Sequence, residues 1–247
     1  MIQQEVASCV RCPQLSDDRT NTVFGSGDPQ SRLVFIGEGP GEDEDASGLP
    51  FQGAAGDMFD RILLACGLKR EQVYLLNTIK CRPPKNRNPK ATELENCWSY
   101  GQRQLDIIQP EFICCMGSVA ARTLLNTNLS IGKLRKRFHS YRGSKVLVTY
   151  HPTYLLRTSS AKTHAWEDMK MLMNEMGIKI PQPVNARPRS ALLCFQIATP
   201  PRLRQNQPNR VRLPHSESNL IGKPSPTANT ATAKGFSCFY FRIVGSR

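Results

Sequence analysis

The sequence predicts an α/β fold of three layers, α/β/α, built around a central, mostly parallel four-stranded sheet. Three observations lead to it. Along the first 180 residues, short apolar runs rich in β-branched residues alternate with stretches of helical period. Those runs are apolar at nearly every position, the pattern of strands buried on both faces. Hydrophobic residues make up 39% of the 247, enough to pack one sizeable domain. Sheets of this kind bind ligands beyond the carboxyl ends of their strands, so the turns after each strand are where function is sought.

The elements follow in order. Residues 32–36, RLVFI, form the first predicted strand and deliver the chain into GEGPG. A helix over 54–66 is stopped by Gly67, and a strand over 73–79 runs into the turn NTIKCRPP. A helix over 91–107, a strand over 111–116 and a helix over 118–126 come next. The last strand, 145–150, leads into HPTYLLR, and a helix over 162–176 closes the domain.

Charge divides the chain. The formal net charge is +13, yet residues 181–247 hold ten Lys/Arg against one acid, Glu217, leaving +9 there and +4 in residues 1–180. The same tail holds nine of the eighteen prolines. Such a stretch buries too little apolar surface to offset its ordering entropy, so a domain over 1–180 followed by a disordered basic tail over 181–247 is expected. No apolar run approaches the roughly 20 residues that cross a bilayer, and MIQQEVASCVRC lacks the pattern of a secretory signal. A cytoplasmic monomer without membrane contact is the expectation.

Nine cysteines without a secretory signal point to reduced thiols or metal ligands rather than a disulfide framework. Cys66, Cys114 and Cys115 lie in apolar runs and read as small buried hydrophobes, and Cys194 and Cys238 fall in the tail. Cys9, Cys12, Cys81 and Cys97 stand in polar or turn-like surroundings, and four thiolates meet there if the N-terminal segment folds back across the domain. Zinc and an iron–sulfur cluster both accept four cysteines, and spacing alone does not choose between them.

Other stretches carry chemistry. GEGPGEDEDASGLPFQGAAG opens like a phosphate-cradling turn, but Glu42 to Asp45 oppose the partial positive charge of its amides; those four acids read as a solvated loop. CRPPKNRNP is a stiff basic loop able to lie along a phosphate backbone. HPTYLLR places a histidine at a strand end and then two leucines near a cation, the composition of a wedge for a base stack.

Taken together, GEGPGEDEDASGLPFQGAAG, LLNTIKCRPPKNRNP, the four cysteines and HPTYLLR resemble the family 4 uracil-DNA glycosylases over about residues 5 to 178, in order and with spacing kept. The resemblance implies a DNA-repair enzyme that flips uracil out of single- or double-stranded DNA and hydrolyses its N-glycosidic bond, acting on the nucleoid. It implies a 4Fe-4S cluster on Cys9, Cys12, Cys81 and Cys97. It makes Asn77 the reader of the pyrimidine edge, Phe51 the stacking ring, His151 the group that stabilises the departing base whether neutral or protonated, and Glu38 the acidic partner of the sugar or the water. Gly37 and Gly39 then line the base, and Gly39 stands where other families place an aspartate. Arg82, Lys85, Arg87 and Arg157 would grip phosphates while Leu155 or Leu156 fills the gap in the stack. A nucleotide-binding or redox iron–sulfur α/β protein is the rival reading.

Overall fold

The computed structural model describes residues 1–181; the basic tail lies, beyond Pro181, outside the described residues. Two short helices, α1 (Ile2–Ala7) and α2 (Pro13–Asp18), precede a two-residue strand, β1 (Ser26–Gly27). Then come β2 (Leu33–Gly37), α3 (Glu42–Ser47), α4 (Gly53–Cys66), β3 (Tyr74–Asn77) and α5 (Ala91–Ile108). The chain continues through β4 (Phe112–Met116), α6 (Ser118–Leu125), α7 (Ile131–Leu134), β5 (His139–Tyr141), β6 (Ser144–Thr149), α8 (Pro152–Arg157) and α9 (Ala161–Glu175). Among the described residues no helix is long and apolar enough to cross a membrane.

The sheet runs in the order β1-β3-β2-β4-β6-β5. Its four central strands are parallel, as expected, and each end carries an antiparallel strand that the sequence reading omits. Among the described residues the sheet is therefore six-stranded and mixed. The additions are too short to show a pattern of their own: two residues in β1 and three in β5. β5 joins β6 through Arg142 and Gly143, at φ 47° and 88°, the paired positive dihedrals of a tight hairpin turn.

Both faces of the sheet are covered. Along β2, Leu33 and Phe35 enter one core with Phe59 and Leu63 of α4 and Met169 and Leu172 of α9. Val34 and Ile36 enter the other, with Trp98 and Leu105 of α5 and Ala120 and Leu124 of α6. The alternation follows from the two-residue period of a strand, and it explains why these strands read as unbroken apolar runs. All four parallel strands point the same way, so Gly37, Asn77, Met116 and Thr149 end at one edge of the sheet.

Thr149 is anchored by a buried ion pair. Arg135 Nε lies 2.6 Å from Asp168 Oδ2, the same oxygen accepts the Thr149 hydroxyl at 2.7 Å, and a second Arg135 nitrogen donates to the His164 carbonyl at 2.6 Å. The guanidinium also lies 4.3 Å from the centre of the Tyr150 ring. Removing one member strands a charge, whereas removing both does not. Asp168→Ala is expected to lower the unfolding free energy by about 3–5 kcal/mol, and Arg135→Met with Asp168→Leu by clearly less than that single change. Urea unfolding of the three proteins measures the difference.

Candidate active site

The first wall of the site is set by strand register. Gly37 and Asn77 are partners at the ends of β2 and β3, and a Cβ at residue 37 would lie 2.2 Å from Asn77 Oδ1 and 3.0 Å from Phe51 Cζ. Glycine at 37 is thus what lets the amide and the aromatic ring approach the same point. At Gly39 a Cβ would meet Ile79 Cγ1 at 2.8 Å. The Thr78 hydroxyl donates to the Glu38 carbonyl, tying the two strand ends together. The Glu38 side chain is half-buried, and burial raises its pKa above the ordinary carboxylate value.

Phe51 sits in the left-handed region, φ 55°, where a bulky residue is strained. Three contacts hold it. Its N–H donates to Glu44 Oε1 at 2.5 Å, its carbonyl accepts from Arg70 at 2.6 Å, and its ring stacks on Phe59 with centroids 4.6 Å apart. A side chain at Gly56 would strike the Phe51 carbonyl at 2.2 Å, and one at Gly53 would strike Asp43, which accounts for the glycines of FQGAAG.

The acidic run is not a loop but the start of α3, and only half of it is solvated: Glu42 and Asp43 are exposed, while Glu44 and Asp45 are held by donors. Glu42 pairs with Arg82 at 3.1 Å. Asp45 is buried and accepts the backbone N–H groups of Thr20, at 3.0 Å, and Asn21. Glu44 receives Gly41 N–H at 2.7 Å, Phe51 N–H at 2.5 Å and Asn77 Nδ2 at 3.1 Å. Burial raises the Glu44 pKa, while these three donors and the nearby Arg70 pull it back toward the anion. Nothing in the motif resemblance points to Glu44. Its signal was available all the same, since an acid three residues into a helix commonly reaches back to the first backbone N–H.

His151 closes the opposite side. It precedes proline, which keeps it extended (φ −68°, ψ 143°) and makes it the N-cap of α8. Its ring lies 25° from the plane of Phe51, with centroids 6.3 Å apart. Nδ1 faces the Thr153 N–H at 3.3 Å and the Thr153 hydroxyl at 2.8 Å. A backbone N–H only donates, so Nδ1 must accept, and a neutral ring then carries its proton on Nε2. Burial first, and the charge of Arg157 second, push the pKa down to about 4. The ring is neutral at pH 7. Gly117, at φ 97°, leaves room for it: a Cβ there would lie 3.2 Å from the His151 Cβ.

At the far side of Ile79, Cys9, Cys12, Cys81 and Cys97 line one small pocket with Leu15, Arg19 and Asn96. Three of the four sulfurs face N–H donors: Arg19 lies 3.1 Å from Cys81, the Lys80 backbone 3.3 Å from Cys97, and the Asn96 amide 3.7 Å from Cys12. Burial raises the Cys81 thiol and pushes Cys97 up to about 11, so with protein groups alone these would be thiols. Among the described residues no three His, Cys, Asp or Glu side chains converge closely enough to hold a single metal ion. N–H groups are thus already aimed at the sulfurs of this pocket.

Residues 24–170 match the family model described as the uracil DNA glycosylase superfamily. The Type-4 uracil-DNA glycosylase of Thermotoga maritima is 41% identical over 162 residues, covering 65% of this chain and 84% of the relative. The chain belongs to the type-4 uracil-DNA glycosylases. The Type-4 enzyme of Archaeoglobus fulgidus is 39% identical over 188 residues, 73% of this chain and 94% of that one. A Type-5 uracil-DNA glycosylase of Pyrobaculum aerophilum is 26% identical over 185 residues, covering 61% and 80%.

In this glycosylase the two leucines of HPTYLLR separate. Leu155 is buried against Met58, Ala161 and Ala165 and cannot reach out of the protein, which corrects its assignment to the DNA face; α8 turns Leu156 outward, 44% exposed. The basic loop also divides. Arg87 is held by both oxygens of Glu93, at 2.8 and 2.6 Å, and braces the start of α5. Arg82 reaches Asn86 at 2.8 Å and Glu42. Lys85 and Arg157 are exposed. The sequence reading of four equivalent phosphate grips therefore narrows to two exposed cations and two braced ones.

The His151 geometry has a direct test. A ring spectrum of the glycosylase should show the neutral, Nε2-protonated form from pH 8 down to about 5, a unit above its value of about 4. Because the folded pKa lies below the ordinary 6.5, this group costs stability on acidification, starting below pH 6.5 and levelling off below about 4. A midpoint near 6.5 in the folded protein contradicts the burial assigned here.

Proposed function

We infer that this chain excises uracil from DNA, hydrolysing the N-glycosidic bond and leaving an abasic site. The observation that carries the reading is the meeting, at one edge of the sheet, of the Asn77 amide, the Phe51 ring and an Nε2–H on a neutral His151. Such a set suits a flat base that leaves as an anion. It does not suit a phosphate, because the amides of Gly41 and Phe51 are already taken by Glu44.

Uracil inside a duplex is out of reach, so it must be extruded at a cost of a few kcal/mol, with Leu156 entering the gap and Lys85 and Arg157 lying along the strand. Phe51 offers the base a ring to stack on. The Asn77 amide presents an acceptor to uracil N3–H and a donor to O4, a pattern that cytosine inverts. As the bond breaks, negative charge grows on uracil O2 and positive charge on the sugar. His151 Nε2–H donates to that oxygen, and its neutrality means that no ion pair must form and then be undone within the site. Glu38, half-buried with a raised pKa, faces the sugar cation or its water.

The four cysteines would hold a 4Fe–4S cluster, whose contribution is to cross-link the N-terminal helices to the turn after β3 rather than to move electrons. The convergence of the thiols and the N–H donors aimed at them support this. Cys9→Ser is expected to lower iron content and melting temperature together. Full stability with zinc in place of iron would overturn the cluster.

The function is tested with uracil-containing single- and double-stranded oligonucleotides, scored for alkali-labile abasic sites. His151→Ala should slow single-turnover excision about 10² or more, the scale of losing a donor to a developing oxyanion, with DNA binding little changed. An active variant with weakened binding would make the histidine a positioning group instead.

A further inference from the structure

The Asn77 amide reads uracil only in one of its two flip states, and something must choose between them. Uracil is matched when Nδ2 takes the place facing O4 and Oδ1 the place facing N3–H. Turned over, the same amide offers an acceptor to the cytosine amino group and a donor to cytosine N3. Rotation about the last side-chain bond is soft, so the amide alone gives weak selectivity. Its surroundings are not symmetric. Nδ2 lies 3.1 Å from Glu44 Oε1, and Oδ1 lies over the Cα of Gly37, beside the edge of the Phe51 ring.

We propose that Glu44 is the positioning residue that fixes the flip state of Asn77 and thereby sets the preference for uracil over cytosine. An ionised carboxylate accepts and never donates, so only the NH₂ end of the amide can face it. One proton of Nδ2 is spent on Glu44, leaving the other, with Oδ1, to form the uracil-matching pair. Turning the amide over would set oxygen against a carboxylate oxygen and forfeit a hydrogen bond to a charged group. Both oxygens of Glu44 are engaged, Oε2 by Gly41 N–H and Oε1 by Phe51 N–H as well as Asn77. The carboxylate therefore cannot rotate away to suit a flipped amide without releasing the backbone of the stacking residue. One side chain of α3 in this way couples the ring that holds the base to the amide that identifies it. A glutamine in its place can still turn its oxygen to Asn77 and Phe51 and its NH₂ toward Gly41, keeping the match, whereas an alanine leaves the amide no partner and so tolerates either flip state.

This inference rests on the uracil-excision reading, and the experiment separates the two. Single-turnover excision is measured on uracil and cytosine oligonucleotides for wild type, Glu44→Ala, Asn77→Asp and the double variant. Glu44→Ala should lower the uracil-to-cytosine ratio about tenfold to a hundredfold, the scale of one hydrogen bond to a charged group. Asn77→Asp should be poor on both bases, because it sets a second carboxylate against Glu44. Adding Glu44→Ala to Asn77→Asp should then raise cytosine excision, a rescue that a merely structural role would not produce. An unchanged ratio in Glu44→Ala, or additive losses in the double variant, overturns the proposal while leaving uracil excision intact. Wild type that releases no uracil overturns both. Should Glu44→Ala not fold, stability still decides: at pH 8 Asn77→Asp must melt below Asn77→Leu, and equal melting temperatures would mean that no carboxylate faces position 77.

Discussion

Parallel pairing of β2 with β3, in the register that sets Gly37 opposite Asn77, is the constraint on which the site depends. A slip of one residue would turn the Asn77 side chain to the other face of the sheet and away from Phe51. The register is held by burial on both faces and by the Thr78 hydroxyl on the Glu38 carbonyl, and it is extended past the strand ends by Glu44, which reaches from α3 to Asn77. Gly37 and Gly39 of the first loop follow from this. They are required by the closeness of the second strand and of Phe51, not by a ligand phosphate, and the acids behind them occupy the amides that a phosphate would need.

Just past Asn77 the chain is tied to the cysteine pocket. Lys80 is buried, its ammonium donating to the carbonyls of Phe24, at 2.9 Å, and Asn77, at 3.2 Å, while its backbone N–H faces Cys97. Burial lowers its pKa to about 8. Lys80 thus joins the end of β3, the segment around Phe24 and the cysteine-lined pocket, linking Cys97 to the backbone of Asn77 through one side chain and its own N–H.

Much of this was legible in the sequence, for physical reasons that differ by element. The four parallel strands and the four long helices over 53–66, 91–108, 118–125 and 161–175 were readable because each spans enough residues for its period to show. Helix α8, six residues long, was not, and without a helical period Leu155 and Leu156 look alike; the structure buries one and exposes the other. Counting charges made Glu42–Asp45 a solvated loop, since four like charges in sequence repel. What the count lacks is the set of donors that Thr20, Asn21, Phe51 and Asn77 bring from elsewhere in the chain. The basic loop fails in the mirror sense: Glu93, six residues beyond Arg87, claims a cation that looked free.

The two strands that the sequence reading omits have a consequence for how the molecule behaves among its own copies. An open parallel sheet ends in rows of unpaired backbone groups, and a protein drawn onto one polymer meets its neighbours at high local concentration. Among the described residues each margin is occupied by a strand of two or three residues, too short to template another chain, and the turn from β5 to β6 carries Arg142. Brevity at the margins keeps crowded copies from zipping into one another while leaving the central strands long enough to build the core.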